Sequence, residues 1–119
     1  MRHLIQRQRD FFLSQETKEI SFRKEFLKKL QGEIIAKEEA ICDALYRDFK
    51  KPKFESLATE TQFVLAELKN ALKKIDSWAS PKRVASTWMN WPSSDYIYKE
   101  PYGTVLIIAP WNYPFQLAI

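Results

Sequence analysis

Glycine is nearly missing from this chain: two stand among 119 residues, Gly32 and Gly103. That scarcity excludes a Gly-rich phosphate-cradling loop and a many-turned β-sandwich. A single cysteine, Cys42, excludes an internal disulfide framework and a multi-cysteine zinc site. A single histidine, His3, argues against a Ser-His-Asp triad and a His-rich metal centre. No apolar run approaches the roughly 20 residues that a membrane-crossing helix needs. The polar opening Met1-Arg2-His3 lacks a signal-peptide core, so a cytoplasmic location is the expectation. Most enzyme types that fit into 14.1 kDa are thereby excluded. With 45% hydrophobic and 14% aromatic residues, the chain is too apolar for a disordered tail.

Charge of one sign is also short of runs. The balance is 19 Lys+Arg against 15 Asp+Glu, a net +4, which points loosely to an anionic partner. Acids and bases interleave, however, as in Arg23-Lys24-Glu25 and Lys37-Glu38-Glu39. The longest one-signed cluster, Lys50-Lys51-Pro52-Lys53, is short and reads as a solvated loop. This is the pattern of a water-facing helical surface, and a nucleic-acid face is not expected.

Proline is segregated rather than scarce. Only Pro52 precedes residue 80, whereas the other five lie at 81, 92, 101, 110 and 114. In residues 1–80 apolar side chains recur at three and four. Phe22, Phe26, Leu30, Ile34, Ile41, Leu45 and Phe49 form one helical stripe, with a break near Gly32 or Lys37-Glu38-Glu39. Thr17 or Ser21 is the expected cap. A shorter helix precedes this stripe. A further helix follows Pro52, with Leu57, Thr61, Val64, Leu68, Leu72, Ile75 and Ala79 on one face, and Ser80-Pro81 ends it. Residues 81–100 read as a β-rich arm, with a strand over Ser94 to Lys99. The uninterrupted run Thr104 to Ala109 fits a strand buried on both faces, the usual state in a parallel α/β sheet. Phe115 to Ile119 reads as a first helical turn. The expected fold class is α/β: N-terminal helices (1–80), a β arm (81–100) and the first strand of a Rossmann-like parallel sheet (101–119). A lone parallel strand requires neighbours, so the chain reads as the front end of a larger protein.

The chemistry concentrates after that strand. Ala109-Pro110-Trp111-Asn112-Tyr113-Pro114-Phe115 is a stiff, bulky loop at the strand end, where α/β proteins bind ligands. Within it Asn112 offers two neutral N–H donors that cannot ionise. Such a donor suits an oxyanion that forms only during reaction, although an Asn between prolines is also an ordinary turn residue. Cys42 lies on a helix beside Asp43, an acid that raises a thiol pKa, and reads as packing rather than as a nucleophile. His3 reads as exposed and passive, Glu100 before its proline as structural rather than a base, and Asp48 and Asp95 have no visible carboxylate partner. Trp78, Trp88 and Trp91 read as packing residues.

The stretch Glu100-Pro101-Tyr102-Gly103-Thr104-Val105-Leu106-Ile107-Ile108-Ala109-Pro110-Trp111-Asn112-Tyr113-Pro114-Phe115-Gln116 resembles the aldehyde dehydrogenase superfamily, with its E-P-x-G-x-x-x-x-I-x-P-W-N-x-P pattern. Arg9-Asp10-Phe11-Phe12, Asp48-Phe49-Lys50-Lys51 and Pro81-Lys82-Arg83-Val84 are similar to the class 3 and fatty-aldehyde branch. The resemblance implies an NAD(P)-dependent oxidation of an aldehyde to a carboxylic acid through a cysteine thiohemiacetal. It makes Asn112 the oxyanion donor, Ile107, Ile108, Ala109, Pro110 and Trp111 cofactor-lining residues, and Tyr113 a wall of the substrate channel. It further implies a homodimer built partly by the β arm. The family's cysteine nucleophile and glutamate base lie in later segments, so this chain alone is expected to be inactive. The rival reading is a small helical interaction module that pairs with a partner through its C-terminal strand. A basic RNA-binding domain is a weaker third.

Overall fold

The computed structural model describes residues 2–119. Five helices lead the chain: α1 (Arg2–Leu13), α2 (Ile20–Ala36), α3 (Glu38–Phe49), the one-turn α4 (Lys53–Ser56) and α5 (Gln62–Ala79). A 3-10 turn, Glu16–Lys18, joins α1 to α2, and a π-helical turn, Leu57–Thr61, joins α4 to α5. The break in the apolar stripe falls at Lys37, whose N–H still bonds to the Glu33 carbonyl at 3.0 Å, while Gly32 runs on inside α2. Thr17 and Ser21 do not cap α2. Glu19 occupies that position without a side-chain cap, and the buried Thr17 hydroxyl has no partner. Instead the Arg23 side chain donates to the Thr17 carbonyl at 2.6 Å and ties the start of α2 to the preceding turn. Helix α5 ends as the sequence implies: the Ser80 N–H and hydroxyl both donate to the Asp76 carbonyl, and Pro81 follows.

The core lies where α2 crosses α5. Ile34, Val64 and Leu68 are buried together, with Leu27, Leu30, Ile41, Leu65 and Phe115 packed against them. Lys24 and Asp76 bridge the same two helices at 2.6 Å. Two members of the stripe stay open, Phe26 near its start and Phe49 at its end, both exposed. The arm forms a two-stranded antiparallel sheet, β1 (Lys82–Val84) with β2 (Asp95–Ile97), in the register Lys82↔Ile97, Arg83↔Tyr96 and Val84↔Asp95. The Tyr96 and Tyr98 rings lie tilted beside each other at 6.4 Å on one side of the ribbon, and they and Ile97 on the other side are all exposed, so neither face is covered there.

The run 104–109 stands unpaired, as expected of a parallel strand without its neighbours. It has no ladder partner among the described residues, and Val105, Leu106, Ile107 and Ile108 face outward, Ile108 being 85% exposed. The apolar pattern of a doubly covered strand is present, but its two neighbouring strands and covering layers are not. A parallel strand takes its hydrogen bonds from such neighbours, and without them it forms no ladder. Consistent with this, the radius of gyration is 19.2 Å, against roughly 13–14 Å for a compact domain of this length. The accessible surface is 9839 Å², about half as much again as a compact monomer of this mass exposes.

Gly103 sets the path into the run. Its φ of +100° is strained for any residue with a side chain, and an added Cβ would stand 3.2 Å from the Phe12 ring. The backbone of residues 101–105 thus crosses α1 closely, over a groove of about 340 Å³ lined by Gln8, Phe12, Thr17 and Arg23.

Candidate functional site

Two halves of the loop after the apolar run are held very differently. On the leading side Pro110, Trp111 and Asn112 are exposed, and the Asn112 side-chain amide makes no hydrogen bond among the described residues. On the trailing side the chain winds into a helical turn, with the Leu117 N–H donating to the Tyr113 carbonyl at 3.0 Å. Phe115 anchors that turn in the α2–α5 core. Asn112 therefore stands at the edge of a fixed turn with its donors free.

Beneath the turn lies a pair of charges that sequence patterning does not reveal. Lys51 and Glu60 are both buried, with the Lys51 ammonium 2.6 Å from Glu60 Oε1. Glu60 Oε2 accepts the Gln116 N–H at 2.8 Å, across 56 residues of sequence. The Lys51 ammonium also sits 4.3 Å from the centroid of the Tyr113 ring, a cation–π contact. This corrects the reading of Lys50-Lys51-Pro52-Lys53 as wholly solvated. Lys50 closes α3 in the left-handed region, at φ 63°, and the reversal turns Lys51 inward while Lys53 stays outside against Glu39. Glu60 is missed for a related reason. In a regular helix adjacent residues point about 100° apart, so the buried Thr61 predicts a flanking Glu60. The π-helical turn changes that projection, and both residues end with no exposure. Irregular turns of this kind are frequent at functional sites. Glu38 at the start of α3 fastens the same turn by accepting from the Thr61 hydroxyl at 2.7 Å.

Cys42 is buried and unpaired in α3. Burial pushes its thiol up, and Glu38, Glu39 and Asp43 push the same way, which leaves it a packing residue rather than a nucleophile. No cluster of His, Cys, Asp and Glu suited to a metal occurs among the described residues. No helix there is long and apolar enough to cross a membrane.

Residues 2–119 match the aldehyde dehydrogenase family. The chain belongs to that family. Among its relatives, the 4,4'-diaponeurosporen-aldehyde dehydrogenase of Staphylococcus aureus is 52% identical over 107 residues, covering 90% of this chain and 23% of the relative. The dimeric NADP-preferring aldehyde dehydrogenase of Rattus norvegicus is 37% identical over 115 residues, covering 97% of this chain and 25% of the relative. A solved structure, the substrate-bound state of Staphylococcus aureus AldH, superposes with a TM-score of 0.89 at 51% identity, over 92% of this chain and 24% of the other. The chain thus spans about a quarter of the length of these relatives. The agreement in backbone fixes this aldehyde dehydrogenase segment as the N-terminal part of an α/β fold, helices and small antiparallel sheet included.

Ile107, Ile108, Ala109, Pro110, Trp111, Asn112 and Tyr113 follow one another in a stretch with no Lys, Arg, Asp or Glu between 104 and 119, all exposed but the half-buried Ala109, and the Lys51 ammonium lies against the last of them. The groove beside α1 shares none of residues 107–113.

Proposed function

We propose that this chain is the N-terminal part of an NAD(P)-dependent aldehyde dehydrogenase that oxidises an aldehyde to a carboxylic acid, and that Asn112 is its oxyanion donor. The observation that carries the proposal is the position of Asn112: a neutral amide with free donors, at the rim of a turn anchored in the core, in a chain that superposes on a substrate-bound relative. A cysteine thiolate from outside this chain attacks the aldehyde carbon, and the carbonyl electrons move onto oxygen. The Asn112 N–H donates to that oxygen. Because an amide does not ionise, the donor is present at every pH at which the thiolate exists. It adds little to binding of the neutral aldehyde, so its effect falls on turnover. When bound, the nicotinamide supplies the hydride acceptor; Ile107, Ile108, Ala109, Pro110 and Trp111 would line it and exclude water. Tyr113 would wall the substrate channel.

Under this reading the exposed run 104–109 is covered by the rest of the enzyme's sheet, and the β arm by a second subunit. The relatives' names include a dimeric enzyme, which supports a dimer here. Two relatives are named for 4,4'-diaponeurosporen-aldehyde and 4,4'-diapolycopene-4,4'-dial, so aldehydes of that kind are the first substrates to try. The test is oxidation of such aldehydes by the whole enzyme with stoichiometric reduction of NAD or NADP, while the 119-residue chain alone does neither. Aldehyde-independent behaviour of the whole enzyme, with no reduced cofactor formed, would end the proposal.

A further inference from the structure

Four ion pairs, exposed except for the half-buried Lys24, decorate the helices: Lys24–Asp76, Lys29–Glu25, Lys37–Glu33 and Lys53–Glu39. Each joins one helix face to itself or to its neighbour. Lys51–Glu60 differs in two respects. It is the one buried pair among the described residues, and it is the one that touches the loop after Asn112. Burying two charges is seldom the most stable choice, because an apolar pair of similar volume is often as stable or more so. What a buried pair adds is direction.

Here the direction is legible. Glu60 uses one oxygen on Lys51 and the other on the Gln116 N–H, at 2.6 and 2.8 Å. Lys51 lies against the face of Tyr113, the residue next to Asn112. Two departures from regular backbone aim these groups: the left-handed Lys50 and the π-helical turn Leu57–Thr61. Both charges therefore grip the loop at one and four residues beyond Asn112. We infer that the buried Lys51–Glu60 pair is a positioning device for Asn112, fixing the turn so that the amide is already placed when the oxyanion forms. This rests on the reading of Asn112 given above. A donor that wanders by a fraction of an ångström loses most of its effect, so the grip acts on turnover rather than on stability. Lys51 and Glu60 are positioning residues.

The experiment is a cycle in the whole enzyme. The variant K51M/E60L replaces the pair by apolar residues of similar reach, and N112A removes the donor. The pair variant is expected to fold, to keep its cofactor dissociation constant within about two-fold, and to lose about ten-fold or more in kcat. In the N112A background the same two changes should cost less than about two-fold, because there is no longer a donor to place. An equal loss in both backgrounds, or no loss in either, overturns the inference. Hydrogen exchange at the Gln116 amide gives an activity-independent reading: about ten-fold faster in K51M/E60L is expected, and an unchanged rate overturns it. If N112A alone leaves turnover intact, the reading of Asn112 has failed, and the exchange rate still decides whether the pair holds the loop. K51M/E60Q, which keeps a carbonyl acceptor for Gln116, should recover part of both readings; it also replaces K51M/E60L should that variant prove insoluble.

Discussion

Removing Lys51 alone should be far more damaging than removing the whole pair. Glu60 has no exposure, and Lys51 is the only cation within salt-bridge reach of its carboxylate among the described residues. Lys51→Met leaves that carboxylate buried with only the Gln116 N–H as partner. Breaking a buried pair in this way costs about 3–5 kcal/mol, most of it the desolvation of the remaining charge. The lost contact with the Tyr113 ring adds about 1 kcal/mol. For scale, Leu68→Ala in the adjoining core should cost about 2–5 kcal/mol. Urea unfolding of the helices, followed by circular dichroism, measures both against wild type. K51M/E60L should then recover most of what Lys51→Met lost, since no charge is left buried. A loss below about 1 kcal/mol for Lys51→Met, or no recovery in the double variant, would refute the reasoning.

Other outcomes follow from the same structure. Gly103→Ala should destabilise by about 1–3 kcal/mol, from the left-handed backbone and the Phe12 contact together, read as a lowered melting temperature. Cys42 should react slowly with a thiol reagent at neutral pH and quickly in urea, because burial both shields it and raises its pKa; fast reaction in the folded chain would contradict this. Lys29 and Lys37 hydrogen-bond to Glu25 and Glu33 and hold both carboxyls below their ordinary pKa of 4.5. A depressed folded pKa means stability present above the unfolded value and lost as pH falls through the folded one. The α2 helix signal should therefore be flat from neutral pH down to about 4.5 and fall below it. The isolated chain, with Leu106 and Ile108 both 85% exposed, should bind the dye ANS and tend to aggregate.

Periodicity carried the helices well, because Val64, Leu68 and Ile34 repeat at helical spacing and do meet in one core. Proline placement likewise marked the end of α5 and the β arm. The run 104–109 was read correctly as apolar, but periodicity reports what a segment needs and not whether its neighbours are at hand. Asn112 can be singled out from the sequence as a candidate, because chemistry-bearing residues are rare in that stretch and its flanking pattern is specific; its role is what we propose. Lys51 and Glu60 were not legible. Their burial depends on a left-handed residue and a π-helical turn, and both shift the register that a helical projection assumes. Gln116 joins them only through the tertiary fold.

The central claim is that Asn112 acts on the oxyanion, and Asn112→Ala in the whole enzyme tests it most directly. Turnover with an aldehyde, under conditions where chemistry limits the rate, should fall by about 10²–10³, or roughly 3–4 kcal/mol of barrier. The cofactor dissociation constant should change little, and circular dichroism should show an intact fold. Asn112→Asp should be at least as damaging, since a carboxylate would face a developing negative charge. Near-wild-type turnover of Asn112→Ala under those conditions would make Asn112 an ordinary turn residue and contradict the account.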